Sequence, residues 1–376
     1  MLYAIRTLLT LAAVFLLAYP CFAADAVPLI FDTDMGNDID DALALAVIHS
    51  LERRGECRLL GVTLTKDNPW AAPFVDLVNT FYGRGEVPIG VVRNGKTPQD
   101  GTFIRAIAEK KAPGGSPLYP RTLSDPSSAP EAVALIRKLL ASQADQSVVI
   151  VQVGFSTNLA RLLVSPGDAA SPLGGRELVA RKVRLLSIMG GAFPPLLAEY
   201  NIRVDLAAST KVFSDWPTEV IASGFEIGEA VLYPAVSIEN DFAYVEHHPV
   251  ADAYRAYKEM PYDRPTWDLT AVLYAVRPGR GYFNLSPPGT IRVDSEGFTR
   301  FTPQDNGKQR FLILTAEQRV RVQEALVQLA SEPPRLRQIA RAKGHSRRLG
   351  RIERCHRVRL PSERLLSQHF RFRFKR

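Results

Sequence analysis

The chain has 376 residues, 46% of them hydrophobic, and a net charge of +8, enough apolar material to bury one large core or two small ones. Residues 341–376 hold 13 Lys and Arg against only Glu353 and Glu363. The rest of the chain is therefore slightly acidic, which argues against a nucleic-acid partner for the folded part. Three cysteines, Cys21, Cys57 and Cys355, do not suggest a disulfide framework, because the first lies in a leader.

That leader is residues 1–24. It carries Arg6, an apolar run over 8–19, and Phe22-Ala23-Ala24, the positive start, hydrophobic middle and small-residue cleavage site of a secretory signal peptide. The expectation is a secreted or periplasmic protein with no stable membrane span after cleavage, since the apolar run is short for a span. A single domain is expected over 25–340. The basic segment 341–376 reads as a poorly ordered, dispensable extension, with a tether to an anionic surface as the alternative.

Residues 27–31 predict a buried strand, and the segment from Ala42 predicts a helix with Leu43, Val47 and Leu51 on one face. Further strands are predicted over 59–64, 87–92, 148–153, 183–189 and 219–222. Helices are predicted over 71–82, 129–141, 157–164, 206–214, 244–257 and 267–275, and 311–330 begins as a strand and ends as a helix. Residues 93–130, rich in Gly, Pro and Lys, predict irregular loops near a site mouth. The alternation implies an α/β fold: a doubly wound, mostly parallel sheet flanked by helices in one large domain.

Between the first strand and the first helix stand Asp32, Asp34, Asp38, Asp40 and Asp41. A strand-to-helix turn is where an α/β sheet places its ligands. Five carboxylates packed there repel one another unless a cation neutralises them, and an oxygen-only site suits Ca²⁺ or Mg²⁺. An EF-hand loop needs Gly at its sixth position and Glu at its twelfth; counting from Asp32, these are Asn37 and Leu43. A haloacid-dehalogenase-type phosphatase also opens on Asp-x-Asp, but Gly36 stands where it needs Thr or Val.

Other candidates lie far along the chain. Val153 ends a predicted strand, where a backbone carbonyl can point at a cation. Glu199 and Asn201, two apart on a segment read as extended, would face one side and could grip sugar hydroxyls. Asp268 opens a predicted helix behind Trp267, and Asn68 precedes Pro69-Trp70.

Asp32-Thr33-Asp34-Met35-Gly36 followed by Asp40-Asp41-Ala42 resembles the signature of the inosine-uridine-preferring nucleoside hydrolase family. So do Met189-Gly190-Gly191, Ala198-Glu199-Tyr200-Asn201 leading to Asp205, and the late Trp267-Asp268. The resemblance covers roughly residues 27–335. It implies a Rossmann-like nucleoside hydrolase fold, a homo-oligomer, and Ca²⁺-dependent hydrolysis of ribonucleosides to free base and ribose. It also implies that Asp34, Asp41, Asp268 and the Val153 carbonyl bind the ion, with Asp34 as the base, and that Asp40, Asn68, Glu199 and Asn201 hold the ribose. One branch of the family has a leaving-group histidine before the late Asp. The purine-preferring branch has Trp, as here, and Trp267 would stack on the base. The chain departs from the pattern twice. Asn37-Asp38-Ile39 replaces a single residue, and no ribose-binding amide lies between Gly191 and Glu199. Two rivals stay open: a metal-dependent phosphohydrolase and a non-catalytic ribosyl-binding protein.

Overall fold

The computed structural model describes residues 26–123 and 125–334. The leader and the segment 335–376 lie outside the described residues. So do the expectations for the signal peptide and the basic tail.

Strand β1 (Val27–Thr33) is the organising element. It pairs in parallel with β2 (Cys57–Lys66) on one edge and with β4 (Val148–Gln152) on the other. The chain winds outward from β2 to β3 (Ile89–Lys96), then returns across β1 and winds the other way through β4, β5 (Val183–Met189) and β6 (Glu219–Ser223). The β1–β4 seam is therefore a topological switch point, and the crevice at the carboxyl ends of these strands is where such sheets bind ligands.

Past β6 the sheet changes character. Strands β7 (Leu232–Tyr233) and β8 (Arg264–Pro265) form a separate antiparallel ribbon. In the main sheet, β9 (Asn284–Leu285), β10 (Gly289–Val293) and β11 (Thr299–Pro303) precede β12 (Gln309–Ile313). β12 joins β6 in parallel, while β9 and β10 pair with it antiparallel and β10 carries β11. This antiparallel extension is absent from the sequence reading, because its strands are short and largely polar.

Both faces of the sheet are buried. Leu29, Phe31, Val149 and Val151 pack on the helices Asp40–Arg53 and Trp267–Val276. The alternate residues Ile30, Val148 and Ile150 pack on Ala132–Ala141 and Thr157–Val164. The period-2 alternation of a strand thus supplies two cores at once, and both side-chain sets are apolar.

Two glycines shape the strand ends. Gly36 has φ +112, a conformation that L side chains rarely adopt, and a Cβ there would meet Ile104 Cδ1 at 2.6 Å. At Gly154 the limit is space, since a Cβ would strike the Asp34 amide nitrogen and Thr65 Oγ1. Gly154→Ala should therefore push the end of β4 away from β1 and destabilise the protein by about 1–3 kcal/mol, read from urea unfolding. An unchanged midpoint would show that the seam is not tightly packed.

Candidate functional site

A cavity of about 530 Å³ opens at the carboxyl ends of the strands, within the range of small-molecule sites. Asp34, Asp38, Asp40, Asp41, Asp268, Val153, Glu199, Asn201 and Trp267 all line it. Strand β1 delivers Asp34. Asp40 and Asp41 open one helix and Asp268 opens another, so two helix N-termini meet the carboxylates and favour their negative charge.

Asp40, Asp41 and Asp268 each offer an oxygen lying within 4.8 Å of the other two. Asp34 lines the same cavity but stands outside that group, and Asp40, expected on the sugar, stands inside it. One oxygen of Asp40 accepts from the Asp268 amide at 3.1 Å, and Thr33 Oγ1 donates to Asp41. All four carboxylates are at most 5% exposed. Burial pushes Asp34 up to about 6 and drives Asp40, Asp41 and Asp268 well above the usual carboxylate range, with mutual repulsion adding to it. Among the described residues none of these four has an ion-pair partner. Such a group holds either protons or a cation, and its all-oxygen chemistry fits a hard divalent ion.

The other lining residues are held by short-range bonds. Asn37 Nδ2 donates to Asp34 Oδ2 at 2.7 Å, and the buried Lys66 Nζ donates to Asn37 Oδ1 at 2.7 Å. Asn201 Nδ2 donates to the Val153 carbonyl at 2.8 Å, which leaves that oxygen a second lone pair. Glu199 and Asn201 are not on an extended segment. Glu199 caps the short helix Tyr200–Val204, accepting from the amides of Asn201 at 2.9 Å and Ile202 at 3.2 Å. The cap fulfils the backbone's unpaired donors and turns both side chains into the same cavity. Burial pushes Glu199 up to about 7.

Three expected residues stand differently. Asn68 does not line the cavity: its amide nitrogen donates to the Pro98 carbonyl at 2.8 Å and to Asp100, and its oxygen accepts from the Trp70 amide. Trp267 is a lining residue but not an open stacking platform. Its ring lies 5.4 Å from that of Phe225, Arg264 sits over it at 5.2 Å, and Nε1 donates to the Phe225 carbonyl. Asp32 braces the sheet, accepting from Thr63 at 2.6 Å and Asn158 at 2.8 Å. Burial pushes it up to about 7.

Among the described residues no histidine lines the cavity: His49 is buried against Asn79, and His248 caps Pro249–Tyr257 from a buried position. Residues that sequence reasoning passed over are Asn37, Lys66, Tyr200, Phe225 and above all Arg264. A cation four residues before Asp268, matched by a surplus Asp38, was the available signal for the last.

Residues 29–333 match the profile of the inosine-uridine preferring nucleoside hydrolase family. The chain belongs to that family. Among curated relatives, the pyrimidine-specific ribonucleoside hydrolase RihA of Salmonella enteritidis is 30% identical over 228 residues, 57% of this chain. The match spans 65% of that relative's length. Among solved structures, a plant nucleoside hydrolase shares the fold with a TM-score of 0.59 and 20% identity over 82% of this chain and 99% of its own. A purine-preferring ribonucleoside hydrolase from Gardnerella vaginalis gives 0.59 and 19% over 81% and 99%.

The buried acids set a test by pH. A group whose folded pKa is raised stabilises the fold below its unfolded value and loses that contribution as pH rises through the folded value. Burial holds His49 at about 4 and His248 at about 3, so above about pH 6.5 both are neutral whether folded or unfolded. In chelator, Tm should fall as pH rises through about 7, where Asp32 and Glu199 lose protons, and fall further above that as Asp40, Asp41 and Asp268 lose theirs. Added Ca²⁺ should remove the part of that fall that belongs to Asp40, Asp41 and Asp268, and a Tm flat with pH in chelator would contradict the assignment.

Proposed function

We propose that this protein hydrolyses the N-glycosidic bond of ribonucleosides, purine nucleosides preferred, to give free base and ribose. The observation that carries the reading is the convergence of Asp34, Asp40, Asp41 and Asp268 with Glu199 and Asn201 in one cavity whose remaining wall includes Tyr200, Phe225 and Trp267. Ca²⁺ is the proposed ion. Asp41 and Asp268 would hold it with Asp40, and Asp34 and the Val153 carbonyl would complete the set. Bound there, the ion would lower the pKa of a water and fix sugar hydroxyls.

The chain's own groups supply the rest. Asp34, raised to about 6 by burial and oriented by Asn37, is matched to taking a proton near neutral pH. The water oxygen attacks C1′, its proton passes to Asp34, and the electron pair of the C1′–N bond leaves with the base. Asp40, Glu199 and Asn201, which line the cavity, would hold ribose hydroxyls as C1′ gains oxocarbenium character. Such bonds accelerate the reaction only insofar as they strengthen in the transition state.

The named relatives divide over the base, one pyrimidine-specific and one purine-preferring. The purine preference rests on the absence of histidine from the cavity lining among the described residues, with Tyr200, Phe225 and Trp267 giving the wall an aromatic character. A secreted or periplasmic location is proposed on the leader alone. Among the described residues no helix is long and apolar enough to cross a membrane.

A nucleoside panel with free base and ribose measured, with and without chelator, tests the reading. Phosphate release from monoesters would favour the phosphohydrolase, and binding without turnover the non-catalytic alternative. Asp34→Ala and Asp268→Ala should abolish turnover and lower Tm only when Ca²⁺ is present, since bound metal stabilises the native state by mass action. If both keep Ca²⁺ affinity within about twofold, a change under about 0.4 kcal/mol, the metal site lies elsewhere. Inosine should exceed uridine in kcat/KM by about tenfold, or about 1.4 kcal/mol. Equal rates would remove the purine preference.

A further inference from the structure

One departure from the family pattern and one residue of the late motif meet in space. The acidic turn is two residues longer and includes Asp38, and Trp267 stands where a leaving-group histidine would be. Asp38 grips Arg264 with both oxygens: Nε donates to Oδ1 at 2.9 Å, and Nη2 donates to Oδ2. The Ile39 amide also donates to Asp38 Oδ1, at 2.6 Å, which fixes the carboxylate. Arg264 lies on β8, and its Cζ sits 5.2 Å from the ring centres of both Trp267 and Tyr257. It is thus immobilised by charge and by aromatic contact. It lines the same cavity as Asp34 and Asp268.

This cation is built into the site, unlike Arg203, the cavity's other arginine, which is exposed and whose side chain makes no hydrogen bond or ion pair among the described residues. A guanidinium carries five N–H donors in a rigid fork and keeps its charge at any working pH. Asp38 engages two of the five. The other three include a pair at the end of the fork.

We propose that Arg264 stabilises the departing base, taking the place of an acid histidine, and that Asp38 is its positioning residue. The proposal rests on the N-ribohydrolase reading. As the C1′–N bond breaks, its electron pair settles on the ring nitrogen of the base. The attacking water gives its oxygen to C1′ and its proton to Asp34. Arg264 donates hydrogen bonds to the anionic base without losing a proton, and the base is protonated by solvent. A fixed donor aimed at developing charge in a water-poor site is the arrangement that lowers such a barrier. Its paired N–H groups match a base with two adjacent acceptors, as O6 and N7 of a 6-oxopurine. The substrate class is therefore 6-oxopurine ribonucleosides.

The experiment compares inosine with p-nitrophenyl riboside, whose phenolate leaves without help. In Arg264→Gln, kcat/KM for inosine should fall about 100-fold, while p-nitrophenyl riboside turnover stays within about threefold. Arg264→Lys keeps a cation but loses the fork, and Asp38→Asn loosens it. Both should show smaller losses confined to inosine. Intact turnover of the phenyl riboside shows that the variants are folded. Equal losses on both substrates, or no loss on inosine in Arg264→Gln, overturns the proposal. A wild-type protein that cleaves the phenyl riboside but not inosine overturns it too and leaves the hydrolase reading standing. Inertness toward both substrates overturns the two together.

Discussion

The structure is organised around a cost: Asp34, Asp40, Asp41 and Asp268 are taken out of water in one small space. Each buried carboxylate loses hydration, and each raises the charging cost of the next. Among the described residues none offsets this with a direct ion pair. Asp38 takes the direct contact with Arg264 and Asn37 that with Lys66, so the two cations ease Asp40, Asp34 and Asp41 only through space. The arrangement makes sense as one half of a cation site whose other half is the ion.

The sheet topology makes such crowding possible. Strand β1 lies at the reversal point of a doubly wound sheet, so its end opens into a crevice with no strand continuing above it. Gly154 lets the end of β4 press against the Asp34 backbone, and Gly36 lets the chain turn back at once into a helix. Glu199 and Asn201 come from a cap formed beside β5, and Asp268 comes from a helix packed under β4 and β5. Residues some 230 positions apart in sequence are thereby joined, as in the bond from the Asp268 amide to Asp40.

Much of this was legible in the sequence. The apolar runs behind β1, β4 and β5 are uninterrupted because parallel strands are buried on both faces, and the helix 157–164 and strand 183–189 appear with the predicted bounds. The acidic turn announced its chemistry through charge density alone. What the sequence did not show depends on tertiary contacts. The segment around Glu199 reads as extended, but satisfying the amides of Asn201 and Ile202 makes it a helix cap. Asn68 looks like a sugar ligand until the 97–100 loop claims its side chain. Arg264 and Asp38 are unremarkable apart, and only the fold brings them together.

If the buried acids form a cation site, they carry protons in the ion's absence. Calorimetric titration of the chelator-treated protein with Ca²⁺, repeated at about pH 7 in buffers of different ionisation enthalpy, measures both the binding and the protons released. Because the ligands must deprotonate to bind, the account predicts a single ion per chain and release of about one proton or more. Absence of binding, or binding with no proton release, would contradict it.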